Sequence, residues 1–157
     1  MKAIVVEESG EPEVLKIKEI PIPSSQSGWV LIKIKAFGLN RAEMYTRQGH
    51  SPDVVFPIVI GIECVGIIEE APGTSFKKGQ KVAAIMGGMG RAFDGGYAEY
   101  TCVPQSCVFQ IESDLDWATL GAIPEMFQTA SGSLHQSLGI KAGQMLLVRG
   151  EIGRAHV

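Results

Sequence analysis

The chain has 157 residues, a net charge of −3 and a pI near 5.6, enough length for about one well-cored domain. Its 14 lysines and arginines are scattered and form no phosphate-tracking stripe, which argues against nucleic acid as a partner. No apolar stretch approaches membrane-spanning length, and the short apolar run after Lys2 cannot serve as a signal-peptide core, so a soluble cytoplasmic protein with no membrane contact is expected.

The first hundred residues read as strands. "MKAIVV" and "VLKIKEI" open the chain, and "PIPSSQSG" after Ile20 is a loop in which prolines fix the backbone and serines offer local hydrogen bonds. Val30, Ile32, Ile34 and Ala36 then alternate with Leu31, Lys33 and Lys35, the period-two pattern of a strand with one buried face. "ECVGIIEE", "QKVAAI", "GYAEYTCV" and "CVFQI" add short β-rich segments separated by glycine, proline and serine, a spacing that suggests a barrel or sandwich. Cys64, Cys102 and Cys107 are odd in number and form no Cys-x-x-Cys pair, so buried thiols are expected rather than a disulfide framework or zinc knuckle.

The character changes near Ser113. Asp114 and Asp116 follow it, a helix start in which carboxylates favour the positive end of the dipole. Pro124 breaks one helix and opens the next, Gly139 ends the second, and "QMLLVRG" at 144–150 reads as an apolar strand running into a glycine. The tail "EIGRAHV" at 151–157 breaks this pattern. Back-translated as GAG ATC GGA AGA GCA CAC GTC, it contains the start of a widely used sequencing adapter, so 151–157 is expected to be a non-native read-through without function.

Five pieces in order carry a resemblance: "GEPEVLKIKEIPIP", "AFGLNRAEMYTRQG", "FPIVIGIECVGIIEEAPG", "FKKGQKV" and "PEMFQTASGSL". Together they resemble the medium-chain dehydrogenase/reductase family, and within it the zinc-independent quinone oxidoreductase, or zeta-crystallin-like, branch. The resemblance implies a mainly β fold with flanking helices: a GroES-like β-barrel catalytic domain over residues 1–120, then the first elements of a truncated Rossmann α/β dinucleotide-binding domain over 121–150.

The same resemblance implies a site without zinc. Ile62 stands where zinc-dependent members carry the histidine of "GHE", and an isoleucine has no lone pair for a metal. "GLN" at 38–40 replaces the segment that would hold the first cysteine ligand, and the four-cysteine structural lobe is missing between Ile85 and Tyr97. The implied chemistry is hydride transfer from NADPH to a quinone or an α,β-unsaturated carbonyl, whose conjugation spreads the developing charge and lessens the need for a Lewis acid.

Matching positions name Asn40 and Tyr45 as catalytic residues, and Asn40, Tyr45, Thr129 and Gly150 as cofactor contacts, with Gly150 beginning the phosphate-binding turn. Each has a plainer alternative. Asn40 could be a turn asparagine, Tyr45 a tyrosine packed on the cleft wall, and Thr129 a hydroxyl bonded back to a helix carbonyl. Glu63 is read as pairing with a cation or capping a loop, His50 and His135 as surface or packing residues, and Met86 and Met89 as loop filler or a flexible apolar wall for flat substrates. A full-length homodimer is expected. The competing readings are a non-enzymatic member of the same family and a free-standing GroES-like module.

Overall fold

The computed structural model describes residues 1–149. Strands β1 (Lys2–Val6), β2 (Lys16–Glu19), β3 (Trp29–Ala36), β4 (Ile58–Val59), β5 (Glu63–Glu70), β6 (Lys81–Ile85), β7 (Tyr100–Pro104) and β8 (Val108–Gln110) form two antiparallel sheets, ordered β2-β1-β4 and β7-β3-β5-β6-β8. The helices are α1 (Arg41–Arg47), α2 (Trp117–Gly121) and α3 (Pro124–Ser131), the last continuing as π-helical turns over Gly132–Ser137. The expected mainly β architecture with flanking helices is the one observed.

Alternation along the strands builds the core. On β3, Val30 and Ile32 are fully buried while Lys33 and Lys35 face solvent, as their spacing predicts. Leu31 departs from that expectation and is buried too, beside a register irregularity between Leu31 and Ile32 that breaks the two-residue period. On β5 and β6, Cys64, Ile68, Val82 and Ala84 enter a cluster with Val103, Met89 and Val108, whereas Val65 and Ala83 turn to the opposite face and pack under Leu120 of α2. One sheet thereby serves a core on one side and a helical layer on the other.

The segment before β7 joins the two sheets. The predicted strand "GYAEYTCV" becomes regular only at Tyr100, because Tyr97 and Glu99 spend their backbone groups elsewhere: Ile4 N donates to Tyr97 O at 2.8 Å, Glu99 N to Lys2 O at 3.0 Å and Tyr97 N to Ile60 O at 3.0 Å. Gly61, at φ +113°, makes this crossing close; a Cβ there would stand 2.6 Å from the Tyr97 ring and 2.8 Å from the Gly96 nitrogen.

Asp116 caps α2 by accepting from Ala118 N and Thr119 N, both at 3.0 Å, so the helix starts at the second of the two predicted aspartates. Lys81 anchors the preceding loop through Ser113 O at 2.7 Å and lies 5.3 Å from the centre of the Trp117 ring. Pro124 opens α3 as expected, and Gly139, at φ +58°, lies just past its π-helical extension. Residues 144–149 form no strand, contrary to the apolar reading of "QMLLVRG"; a strand exists only when paired, and these residues pair with none of the described strands.

Candidate functional site

The chain leaves β3 at Ala36 and enters α1 through "FGLN". Asn40 is the N-cap of α1 with extended backbone, and Glu43, three residues on, reaches back to accept from Asn40 N at 2.7 Å. With the Asn40 side chain facing Glu43 N in return, this is a capping box, so the turn alternative for Asn40 resolves into a helix start. The other oxygen of Glu43 accepts from Ile62 N at 3.0 Å, tying α1 to the chain just ahead of β5. Glu43 is 3 % exposed, and burial raises its pKa above the ordinary 4.5, with the bonds from Ile62 and Asn40 opposing that rise.

Glu63 lies one residue further and is 1 % exposed. Its Oε1 accepts from Asn40 Nδ2 at 2.7 Å, and its Oε2 from Glu125 N at 2.8 Å, in the first turn of α3. The expected cation is not its partner. Of the two roles anticipated, the structure shows a cap, supplied to a helix whose own N-cap residue, Ile123, provides no side-chain bond. Gly38 creates the space, because a Cβ on it would sit 2.1 Å from Glu63 Oε1. Burial raises the pKa of Glu63 above its ordinary 4.5, against the lowering effect of the Asn40 and Glu125 bonds.

The set continues along α3. Thr129 Oγ1 donates to Glu125 Oε2 at 2.8 Å, so Thr129 bonds a side chain one turn back rather than a helix carbonyl; Ser133 is the residue that back-bonds, to Thr129 O at 2.8 Å. Asn40 and Thr129, 89 positions apart in sequence, thus belong to one chain of contacts through Glu63 and Glu125. Tyr45 stands apart from it. Its ring is 41 % exposed, with the Arg41 guanidinium 5.7 Å from its centre and the His50 ring 6.2 Å away. Gly150 lies outside the described residues, as does the tail at 151–157.

Ile62, held by Glu43, lines a cavity of about 250 Å³ with Pro52, Met86, Gly88 and Met89. The two methionines part company here: Met89 is core, whereas Met86 is exposed with φ +56°. A larger cleft of about 330 Å³ lies near Met1, Trp29 and Tyr100 and contains none of the predicted site residues. A third, apolar groove of about 420 Å³ runs between β6, β8 and the start of α3, lined by Ile85, Phe109, Ile111 and Ile123. Cys64 is fully buried and its thiol is pushed up to about 12, mainly by burial, while the Tyr97 phenol is raised by burial and by the nearby Glu43 and Glu63. Among the described residues no three His, Cys, Asp or Glu side chains gather as a metal ion would require.

Asn40 and Thr129 present an amide and a hydroxyl within one hydrogen-bonded set, group types able to meet a carboxamide and ribose hydroxyls, while Tyr45 lies outside it. Sequence reasoning missed Glu43 and the organising place of Glu63. The Asn40-x-x-Glu43 spacing was the available signal for the first, as a helix-start pattern.

Residues 26–113 match the alcohol dehydrogenase GroES-like domain family. The chain is 34 % identical to the quinone oxidoreductase of Sus scrofa over 157 residues, covering 98 % of this chain and 46 % of that protein. Among solved structures, a quinone oxidoreductase from Pseudomonas syringae superposes with a TM-score of 0.83 at 27 % identity, over 91 % of this chain and 43 % of the other. A mycobacterial protein solved in complex with NADPH superposes with a TM-score of 0.81 at 30 % identity, over 91 % and 43 %. The chain therefore spans about half the length of the curated relatives it matches. No helix of the described residues is long and apolar enough to cross a membrane.

Proposed function

Because the chain belongs to the alcohol dehydrogenase GroES-like domain family, within the medium-chain dehydrogenases/reductases, we propose that it is the catalytic part of an NADPH-dependent, zinc-independent quinone oxidoreductase or enone reductase. In this reading residues 1–120 are the catalytic domain and 121–150 lead into a dinucleotide-binding domain. The whole protein is a cytoplasmic homodimer. The observation that carries the reading is the contact chain Asn40–Glu63–Glu125–Thr129, which gathers two of the residues named from the family pattern on elements far apart in sequence. The NADPH-bound mycobacterial relative supports the choice of cofactor.

When bound, the nicotinamide supplies the hydride. Asn40 and Thr129 would hold its carboxamide and ribose end. Tyr45, exposed on α1 beside Arg41, would be free to reach the cofactor or substrate oxygen. Ile62 and Met86 form an apolar wall suited to a flat, conjugated acceptor. With isoleucine at position 62, no side chain there offers a metal a lone pair, and the acceptor's own conjugation accommodates the charge that develops.

The test begins by reading the source gene across codon 150 and expressing its complete product. Saturable quenching or enhancement of NADPH fluorescence, and quinone-dependent NADPH oxidation that survives exhaustive chelation, are expected. A complete product that binds NADPH but loses oxidation on chelation would refute zinc independence, and one that neither binds nor oxidises NADPH would refute the enzymatic reading.

A further inference from the structure

The carboxylate of Glu63 is central to the site yet has no part in the chemistry described above. It is buried, sits against Gly38, and bonds two separate elements: the N-cap of α1 and the first turn of α3. An ionised carboxylate accepts hydrogen bonds and donates none. Whatever it holds must turn a donor toward it.

We propose that Glu63 is a positioning residue that fixes the Asn40 amide in one orientation and latches α3 to the site, so that Asn40 and Thr129 meet a ligand chiefly as acceptors. Asn40 gives an N–H to Glu63 Oε1, which turns its carbonyl end away from that carboxylate and toward Glu43 N in the capping box, leaving one carbonyl lone pair for a ligand. Thr129 gives its only hydroxyl proton to Glu125 Oε2, leaving lone pairs. Two carboxylates thus consume donors on the protein side, and the complementary ligand groups are themselves donors: the NH2 of a carboxamide and the hydroxyls of a ribose. An oxyanion on the substrate would be poorly served by the same pair. The latch itself stands on geometry; its place at a nicotinamide site rests on the function proposed above.

Glu63→Gln separates the possibilities because it keeps volume but supplies one acceptor oxygen and one NH2 where two acceptors are needed. Either Asn40 turns its carbonyl toward the new NH2, or Glu125 N loses its acceptor. In NMR spectra of the 157-residue chain, the Asn40 side-chain amide resonances should move, or exchange of the Glu125 amide should quicken by about tenfold or more, the size expected from a lost charge-assisted bond. Adding Asn40→Asp should restore slow exchange at Glu125, since the carboxylate introduced on α1 can accept from the glutamine NH2 and free the glutamine oxygen for the helix. Unchanged Asn40 resonances together with unchanged Glu125 exchange in E63Q would overturn the proposal, as would failure of the double variant to restore protection. Reduced nicotinamide mononucleotide, which needs no pyrophosphate cradle, is the ligand probe. Shifts at Asn40 and Thr129 in the wild type that vanish in E63Q support the acceptor role. If the nucleotide shifts neither residue while E63Q still reorients Asn40, the nicotinamide reading falls and the latch survives.

Discussion

Gly38→Ala is the sharpest perturbation the structure offers. The new Cβ would stand 2.1 Å from Glu63 Oε1 and 2.8 Å from its Cδ, where ordinary contact begins near 3.4 Å, so the carboxylate must retreat by about 1.3 Å. From starting distances of 2.7 and 2.8 Å, a shift of that size removes one or both bonds that Glu63 makes. Each charge-assisted bond contributes roughly 1.5–3 kcal/mol. Alanine recovers about 0.4–1 kcal/mol by restricting the unfolded chain. A net loss of about 3 kcal/mol follows, equivalent to roughly 6–12 °C in Tm for a chain of this size. Urea unfolding followed by tryptophan fluorescence measures it, with Trp29 and Trp117 as reporters. The decisive control is the same change in a Glu63→Ala background, where the carboxylate clash is gone and only the 3.2 Å approach to Gly121 O remains, so the cost should fall to about 1 kcal/mol or less. Equal costs in both backgrounds would refute the reasoning, and so would a loss below about 0.5 kcal/mol in the wild type.

Glu43 and Glu63 both have pKa values raised by burial, so the native state binds protons more tightly than the unfolded chain; their contribution is full below about pH 4.5 and is lost as pH rises through the raised values. Glu43→Gln should therefore flatten the decline of stability over that window, and parallel wild-type and E43Q profiles from urea titrations would contradict it. Iodoacetamide at pH 8 should modify Cys102 first in the folded chain, because it is partly exposed while Cys64 and Cys107 are buried; the Cys102 thiol is raised by burial and Glu70, but the Cys64 thiol is pushed up to about 12, and early labelling of Cys64 by mass spectrometry would count against this. The apolar groove beside Phe109 and Ile123 should bind 8-anilinonaphthalene-1-sulfonate on the native protein, and Phe109→Glu should reduce that fluorescence several-fold; no change would place the dye elsewhere.

Strands with clear alternation were legible in the sequence because a half-buried strand writes its geometry at every second residue, as Val30 to Ala36 do. Pro124 and Asp116 were legible for a similar reason: each acts on its own backbone or on the next turn. The two-residue strand β4 was not, and the helix α1 only in part. Ile58 and Val59 pair with β1, some fifty positions earlier; α1 had a local signal in the Asn40-x-x-Glu43 spacing, but Glu43 also reaches across to Ile62, a contact no local pattern encodes. The site followed the same division. Asn40 and Thr129 could be named from family pattern, but Glu63 as their connector depends on an empty volume at Gly38 and on a helix arriving 62 residues later. Tyr45, named by the same route, stands apart from that set, with its ring beside Arg41 and His50.

The seam between the sheets also bears on how the protein is born. Strand β1 leaves the ribosome well before much of its cover: β4 begins at Ile58, and Lys2 N waits for a glutamate 97 residues downstream to receive its bond. At translation speeds of roughly 5–20 residues per second, that is several seconds during which Ala3, Val5 and Val6 lack their final cover. Early in that interval the hairpin with β2, with Val14 and Ile20 beside it, gives partial cover, and the positions of β2 are largely solvent-exposed. Nascent β1 is therefore a segment on which a holding chaperone would find purchase before β4 and β7 are made.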